Sequence, residues 1–173
     1  MILRPATLDD VARLERWDDK PHVKWCTGFD PDLPLPDEER EDWAGLIARN
    51  AGWFDILIGE EVGRAIGVVQ IIDPHLEESH YWGDCAPNQR AIDIWIGEET
   101  DLGRGCGTQM MRQAIDLCFA DPAVTNIIID PLMINEKAIR FYRRLGFVDV
   151  CERNFGDDAC LVMELRRTQW EKV

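Results

Sequence analysis

Gly103-Arg104-Gly105-Cys106-Gly107-Thr108 lies between an apolar strand-like run and a helical one. Glycines in that setting let the backbone turn with several N–H groups aimed into one concavity. At the positive end of a helix dipole this makes an anion site suited to a phosphate or diphosphate, and Arg104 adds charge. The alternative is a plain tight turn. No Lys followed by Ser or Thr closes the motif, so it is not a P-loop, and the dinucleotide pattern GxGxxG is absent. Asp93 sits in an apolar strand between Ile92 and Ile94. Side chains alternate along a strand, so those neighbours point away from it. A carboxylate there is costly unless it faces a cleft, where it can act as a general base, or solvent at a sheet edge. Tyr142 follows Ala138 by four residues and so shares a helix face with it. It is either a proton donor or an aromatic core anchor. Glu77, Glu78 and Asp84, interleaved with Tyr81 and Trp82, suit a polycation, because ring faces also attract cations. A solvated acidic loop is the plainer reading. Trp25 and Trp53 are pocket walls or core.

The elements around these residues can be placed from spacing. Ile2 to Arg4 reads as a strand, and Thr7 caps a helix running to about Trp17, with Asp9 and Asp10 in its first turn. Pro31 to Pro36 is a loop, followed by a helix starting near Asp37 with an acidic first turn. Trp53 to Ile58 and Ala65 to Ile72 are strands joined by a hairpin at Gly59 to Gly63. Asp73 to Arg90 is a long loop of the kind that often carries function. Ala91 to Gly97 is a strand, and the glycine turn leads into a helix to about Ala120, apolar along Gly107, Met110, Met111, Ala114, Ile115 and Cys118. Asn126 to Ile129 is a strand. A helix from Asn135 to Leu145 closes at Gly146, and Val148 to Cys151 and Cys160 to Leu165 finish as strands. This order predicts an α+β fold, a mixed, mostly antiparallel sheet with helices on both faces in an α/β/α sandwich. Residues 1–173 read as one domain.

The 173 residues carry a formal net charge of −14. Such a surface repels nucleic-acid phosphates and anionic lipids and attracts cations, so neither nucleic acid nor membrane is an expected partner. No apolar run is long enough to span a bilayer, and the first ten residues lack a secretory pattern, which predicts a cytoplasmic protein. The six cysteines show no metal-ligand spacing and read as reduced core thiols, and no metal site is expected.

Leu102-Gly103-Arg104-Gly105-Cys106-Gly107 resembles the turn with which the GNAT superfamily of acyl-CoA N-acyltransferases grips the diphosphate of coenzyme A. The usual Gln or Arg at its first position is Leu here. The segment Asn135-Glu136-Lys137-Ala138-Ile139-Arg140-Phe141-Tyr142-Arg143-Arg144-Leu145-Gly146-Phe147 is similar to the superfamily's Asn-x-x-Ala-x-x-x-Tyr-x-x-x-Gly-Phe stretch. Ala91-Ile92-Asp93, Phe119-Ala120-Asp121-Pro122, Val124-Thr125 and Asp130-Pro131 look like the aminoglycoside 6′-N-acetyltransferases, a class tied to antibiotic resistance. The likeness runs from about Ala91 to Arg166 and extends weakly to Trp25 and Gly28.

The resemblance implies an acetyl-CoA-dependent transfer onto an amine of a cationic small molecule, most specifically an aminoglycoside 6′-amine, by a monomer or homodimer. An alkylamine with a reference pKa near 10.4 costs about 4–5 kcal/mol to present neutral at pH 7, so a base matters. The resemblance assigns that role to Asp93, acting directly or through water, and assigns Tyr142 as the acid for the departing thiolate. It implies that Trp95, Ile96 and Gly97, on a strand splayed from its neighbour, offer backbone groups to the pantetheine and to the oxyanion. Residues 102–108 with Asn135 and Ala138 would hold the cofactor, although Asn135 also reads as an ordinary helix cap. Asp130 matches a substrate-binding Asp, and Glu77, Glu78, Trp82, Asp84 and Trp25 are further candidates for the substrate. Other readings are a siderophore-pathway acyltransferase acting on hydroxylated lysine or ornithine, a protein N-terminal acetyltransferase, and a non-catalytic acyl-CoA sensor. The first typically uses a His base, and His22, His75 and His80 lie off the strand of Asp93.

Overall fold

A computed structural model describes residues 1–49 and 51–171. Seven strands form one sheet in the order β1-β2-β3-β4-β5-β7-β6. They are β1 (Ile2–Pro5), β2 (Phe54–Glu61), β3 (Arg64–Ile72), β4 (Gln89–Ile96), β5 (Asn126–Ile129), β6 (Val148–Phe155) and β7 (Asp158–Arg166). Every pairing is antiparallel except β4 with β5. The helices are α1 (Val11–Asp18), α2 (Pro21–Cys26), α3 (Trp43–Arg49), α4 (Cys106–Ala120), α5 (Glu136–Arg144) and the short α6 (Arg167–Trp170). Met110, Met111, Ile115, Ile139 and Tyr142 of α4 and α5 pack on one face of the sheet in the main core. Leu14, Trp17 and Trp43 of α1 and α3 cover the other, against Ile56, Ile58 and Val68. Helices therefore lie on both faces of a mostly antiparallel sheet. No helix among the described residues is long and apolar enough to cross a membrane.

Four local expectations shift. The segment at Asp37 makes only a 3₁₀ turn, Asp37–Glu39, because Arg40 turns extended. The helix proper begins at Trp43, after Asp42 accepts the Gly45 amide. The start of the first helix is likewise a 3₁₀ turn, Leu8–Asp10. Helix α2 opens on Pro21, a favoured first-turn residue that the sequence reading passed over. Strand β6 runs on to Phe155 and is exposed along nearly its whole length at the sheet edge. Cys151 lies there in the open, so it is not a core thiol, whereas Cys106, Cys118 and Cys160 are buried and none of the six is in a disulfide.

Two features of β4 matter for the site. Its pairing with β5 covers only Gln89↔Asn126, Arg90↔Ile127 and Ala91↔Ile128. Beyond Ile129 the chain turns to Pro131, which has no N–H to pair, and to Met133, whose N–H donates to Ala159 O. Strand β4 instead continues along β3 to Ile96. The two strands thus part like a V after Ala91. At the end of β4, the Gly97 N–H donates to Ile66 O, and a Cβ on Gly97 would lie 1.9 Å from a ring carbon of buried Trp17. Gly97→Ala is therefore expected to destabilise the fold by about 1–3 kcal/mol, lowering the melting temperature by roughly 3–10 °C in a thermal melt.

Candidate active site

The gap between β4 and β5 opens into a cavity of about 410 Å³. Asp93, Tyr142, Asp130, Asn135, Ala138 and Trp95 line it. Asp93 lies on the α1/α3 face of the sheet, the same face as Trp95, which packs with Trp43 and Val68. Tyr142 belongs to the core on the opposite face. They share one cavity because the strands between them have separated.

Strand alternation decides which backbone groups face the gap. Gly97 and Ile66 are a hydrogen-bonded pair, so Trp95 and Asp93 also direct their backbone groups toward β3, while Ile94 and Ile96 direct theirs outward. The Ile96 carbonyl agrees, accepting from His22 Nε2 at 2.9 Å. The N–H groups of Ile94 and Ile96 are thus the ones turned to the gap. Trp95 instead contributes its ring, whose buried Nε1 has no partner among the described residues.

The cavity wall is acidic. Asp18, Glu39, Glu41, Asp93, Asp130 and Asp158 all line it. Burial, reinforced by the charges of Glu41 and Glu77, pushes the Asp93 carboxyl up to about 6. Burial and the Asp93 charge push Asp130 up to about 7, against the hydrogen bond it accepts from Tyr81 Oη at 2.6 Å. Burial raises Asp18 to about 6, partly offset by the bond from Trp43 Nε1 at 2.6 Å. The Tyr142 phenol is raised by burial and then by Asp93, so it stays protonated. Its ring packs edge-on to Phe147 at 5.8 Å.

Of the loop residues singled out from sequence, Tyr81 reaches the cavity. It stacks on Phe155 at 4.5 Å. Glu77 acts on Asp93 through its charge alone. Glu78 is exposed and pairs with Arg49 at 3.6 Å, and Asp84 is exposed. Trp82 is buried in a small core against Phe155, Ala91 and Ile128. Trp25 is 38 % exposed on α2, while its neighbours Val23, Cys26 and Thr27 line the cavity. Sequence reasoning missed Asp18, Glu39, Glu41, Trp43, Gln70 and Asp158, which come from segments far apart in the chain and carry no shared spacing.

The glycine turn lies past the end of β4. Gly103 and Gly105 have φ of +73° and +83°, and a Cβ on either would meet nothing within 4 Å, so the concavity is open. Gly105 caps α4 without a side-chain bond. The first helical bond runs from Gln109 N to Gly105 O, which leaves the Cys106, Gly107 and Thr108 amides without intrahelical partners. The Cys106 thiol is buried beneath the turn and the Leu102 side chain is exposed. The Arg104 guanidinium is bound to Asp101 and, at 3.0 Å, to Glu61. Arg64 holds Asp101 from the other side at 2.6 Å. Arg104 therefore braces the turn instead of reaching into it. Asn135 Oδ1 accepts the Ala138 N–H at 3.0 Å, so Asn135 caps α5 while also lining the cavity.

A sequence profile of the GNAT acetyltransferase domain matches residues 6–155. The chain belongs to the GNAT acetyltransferase family. As a GNAT protein it is an N-acetyltransferase, and acetyl-CoA is its acetyl donor. The uncapped amides and open glycine turn fit the diphosphate of that donor. The chain is 33 % identical over 178 aligned residues to the aminoglycoside N(6′)-acetyltransferase type 1 of Klebsiella pneumoniae, covering 100 % of this GNAT chain and 86 % of that protein. A kanamycin resistance protein of Rhizobium radiobacter is 40 % identical over 99 residues, which is 57 % of this chain and 92 % of that one. Among solved structures, aminoglycoside acetyltransferase AAC(6′)-Ib in complex with coenzyme A and kanamycin superposes with a TM-score of 0.85 at 26 % identity, over 99 % of this chain and 97 % of that one.

Proposed function

We propose that this GNAT enzyme transfers the acetyl group of acetyl-CoA directly to the 6′-amine of an aminoglycoside. The observation that carries the reading is the single cavity in which Asp93 and Tyr142 meet under an acid wall. In this reading the amides of residues 103–108 hold the diphosphate, the exposed edge of Leu102 flanks it, and Asn135 and Ala138 lie along the pantetheine. When bound, the donor supplies an acetyl thioester at the gap. The Ile94 and Ile96 amides face the position where the acyl oxygen gathers charge. Asp93 takes the proton from the attacking amine, directly or through water, and Tyr142 donates one to the leaving sulfur. A carboxyl near 6 ionises readily at pH 7, yet is less prone to lock the amine as an ammonium ion than an ordinary carboxylate. Asp130, Asp158, Glu41 and Asp18 attract the remaining ammonium groups of the acceptor. The relatives' names and the kanamycin-bound neighbour support the same acceptor class. We further propose that residues 1–173 act as one domain, in the cytoplasm, as a monomer or homodimer.

A thiol-release assay with acetyl-CoA against kanamycin, spermidine and peptides with a free N-terminus tests the reading. Kanamycin is expected to exceed the other classes by at least roughly tenfold in kcat/KM, with the product acetylated at the 6′-nitrogen by NMR. Absence of turnover with every aminoglycoside, alongside turnover of another amine class, would overturn the acceptor assignment.

A further inference from the structure

Gln70 of β3 lies directly opposite Asp93 of β4. Antiparallel partners project from the same face with Cβ atoms about 4.5–5.5 Å apart, so the Gln70 amide and the Asp93 carboxylate stand side by side on the cavity floor. Gln70 is only 8 % exposed and lines the cavity. Its side chain nevertheless makes no hydrogen bond with any described residue. A primary amide carries two donors and an acceptor, and here they remain open to the cavity. Tyr81 Oη, the Trp43 indole N–H and the Asn135 Oδ1 are by contrast engaged. Elsewhere the wall offers carboxylates, which when ionised only accept hydrogen bonds, the Trp95 indole N–H, which only donates, and the Tyr142 hydroxyl, which the proposed reaction uses at the leaving sulfur. Gln70 is neutral and can both donate and accept, so it can serve a hydroxyl group in both directions, where an ammonium ion would use only its carbonyl oxygen. Its place beside Asp93 confines that hydroxyl to the neighbourhood of the reacting amine.

We propose that Gln70 is a specificity-determining residue that reads a hydroxyl group next to the reacting amine, so that the site selects hydroxylated amino sugars over their deoxy counterparts. The inference rests on the reading that Asp93 serves the acceptor amine. The test compares kanamycin B with its 3′,4′-dideoxy derivative, two acceptors that share the same 6′-amine and charge. The native enzyme is expected to favour the hydroxylated compound by about ten- to a hundredfold in kcat/KM. Gln70→Met keeps the length and removes the polar atoms. It is expected to lower kcat/KM for kanamycin B and leave the dideoxy compound within about threefold, so that the preference collapses. Equal use of the two compounds by the native enzyme would overturn the proposal, and this arm needs no variant to fold. A preference that survives Gln70→Met, or a uniform loss on both acceptors, would overturn it as well. Failure of the acetyl-transfer reading would look different, with neither compound turned over.

Discussion

Asp93→Asn is expected to lower kcat/KM for the amine by about 10²- to 10⁴-fold while acetyl-CoA binds as before. The substitution keeps the shape of the side chain and removes its ability to take a proton. In the native enzyme kcat/KM should rise with pH through an apparent value near 6, set by Asp93 together with the Asp130 carboxyl that interacts with it. The Asn variant should lose that limb. Stability moves the opposite way. The folded carboxyl titrates near 6 and the unfolded one near 3.8, so between those values the native state binds more protons than the unfolded chain. Stability therefore falls as pH climbs through that window, and the full cost, on the order of 2–3 kcal/mol, is present above it. Asn carries no charge and avoids this cost. The variant should melt higher than the native enzyme at pH 8, with the difference narrowing toward pH 4. Thermal melts at the two pH values, beside rate profiles, check both halves. A variant that is slow and also less stable at pH 8 would make Asp93 a structural residue.

Tyr142→Phe is expected to lower kcat by about 10²-fold, with the KM for the amine changed by no more than a few-fold. The phenyl ring keeps the contacts with Phe147 and with the main core. Only the hydroxyl is lost, and it bonds to no described residue, so the melting temperature should barely move. The loss should be spread evenly across pH, because burial and Asp93 hold the phenol protonated through the working range. A kcat within twofold of the native value would reduce Tyr142 to a wall of the cavity.

Much of the architecture could be read residue by residue. The apolar runs of β2, β3 and β5, the glycine turn before α4, and the Asn135 and Gly146 bounds of α5 appear where spacing puts them, because each depends on neighbours a few positions away. Pro21 offered a usable first-turn signal for α2, but six residues make too little periodicity to register beside it. The loop after Ile72 was expected to carry function, and its composition could not separate Tyr81, which faces the cavity, from Trp82, which packs inward. Adjacent aromatics in an irregular segment follow no alternation, so only the packing around Phe155 sorts them. Arg104 shows a related limit. Its type and place suited an anion, but Glu61 and Asp101, one of them distant in the chain, turn its guanidinium back into the scaffold.

By itself the sequence picked out the residues on which the proposed chemistry rests: a glycine-rich turn ahead of a helix, a carboxylate in an apolar strand and a phenol on an amphipathic helix. Each is written in local residue types and periods. The tertiary structure alone decided that the carboxylate and the phenol share a cavity, since they project from opposite faces of the sheet and meet only where β4 and β5 part. It alone also set Gln70 beside Asp93 and drew Asp18, Glu41 and Asp158 into one wall. Strand alternation fixes the face a side chain takes relative to its neighbours. How far two strands stay paired, and which distant segments close over them, is set by the packing of the whole core.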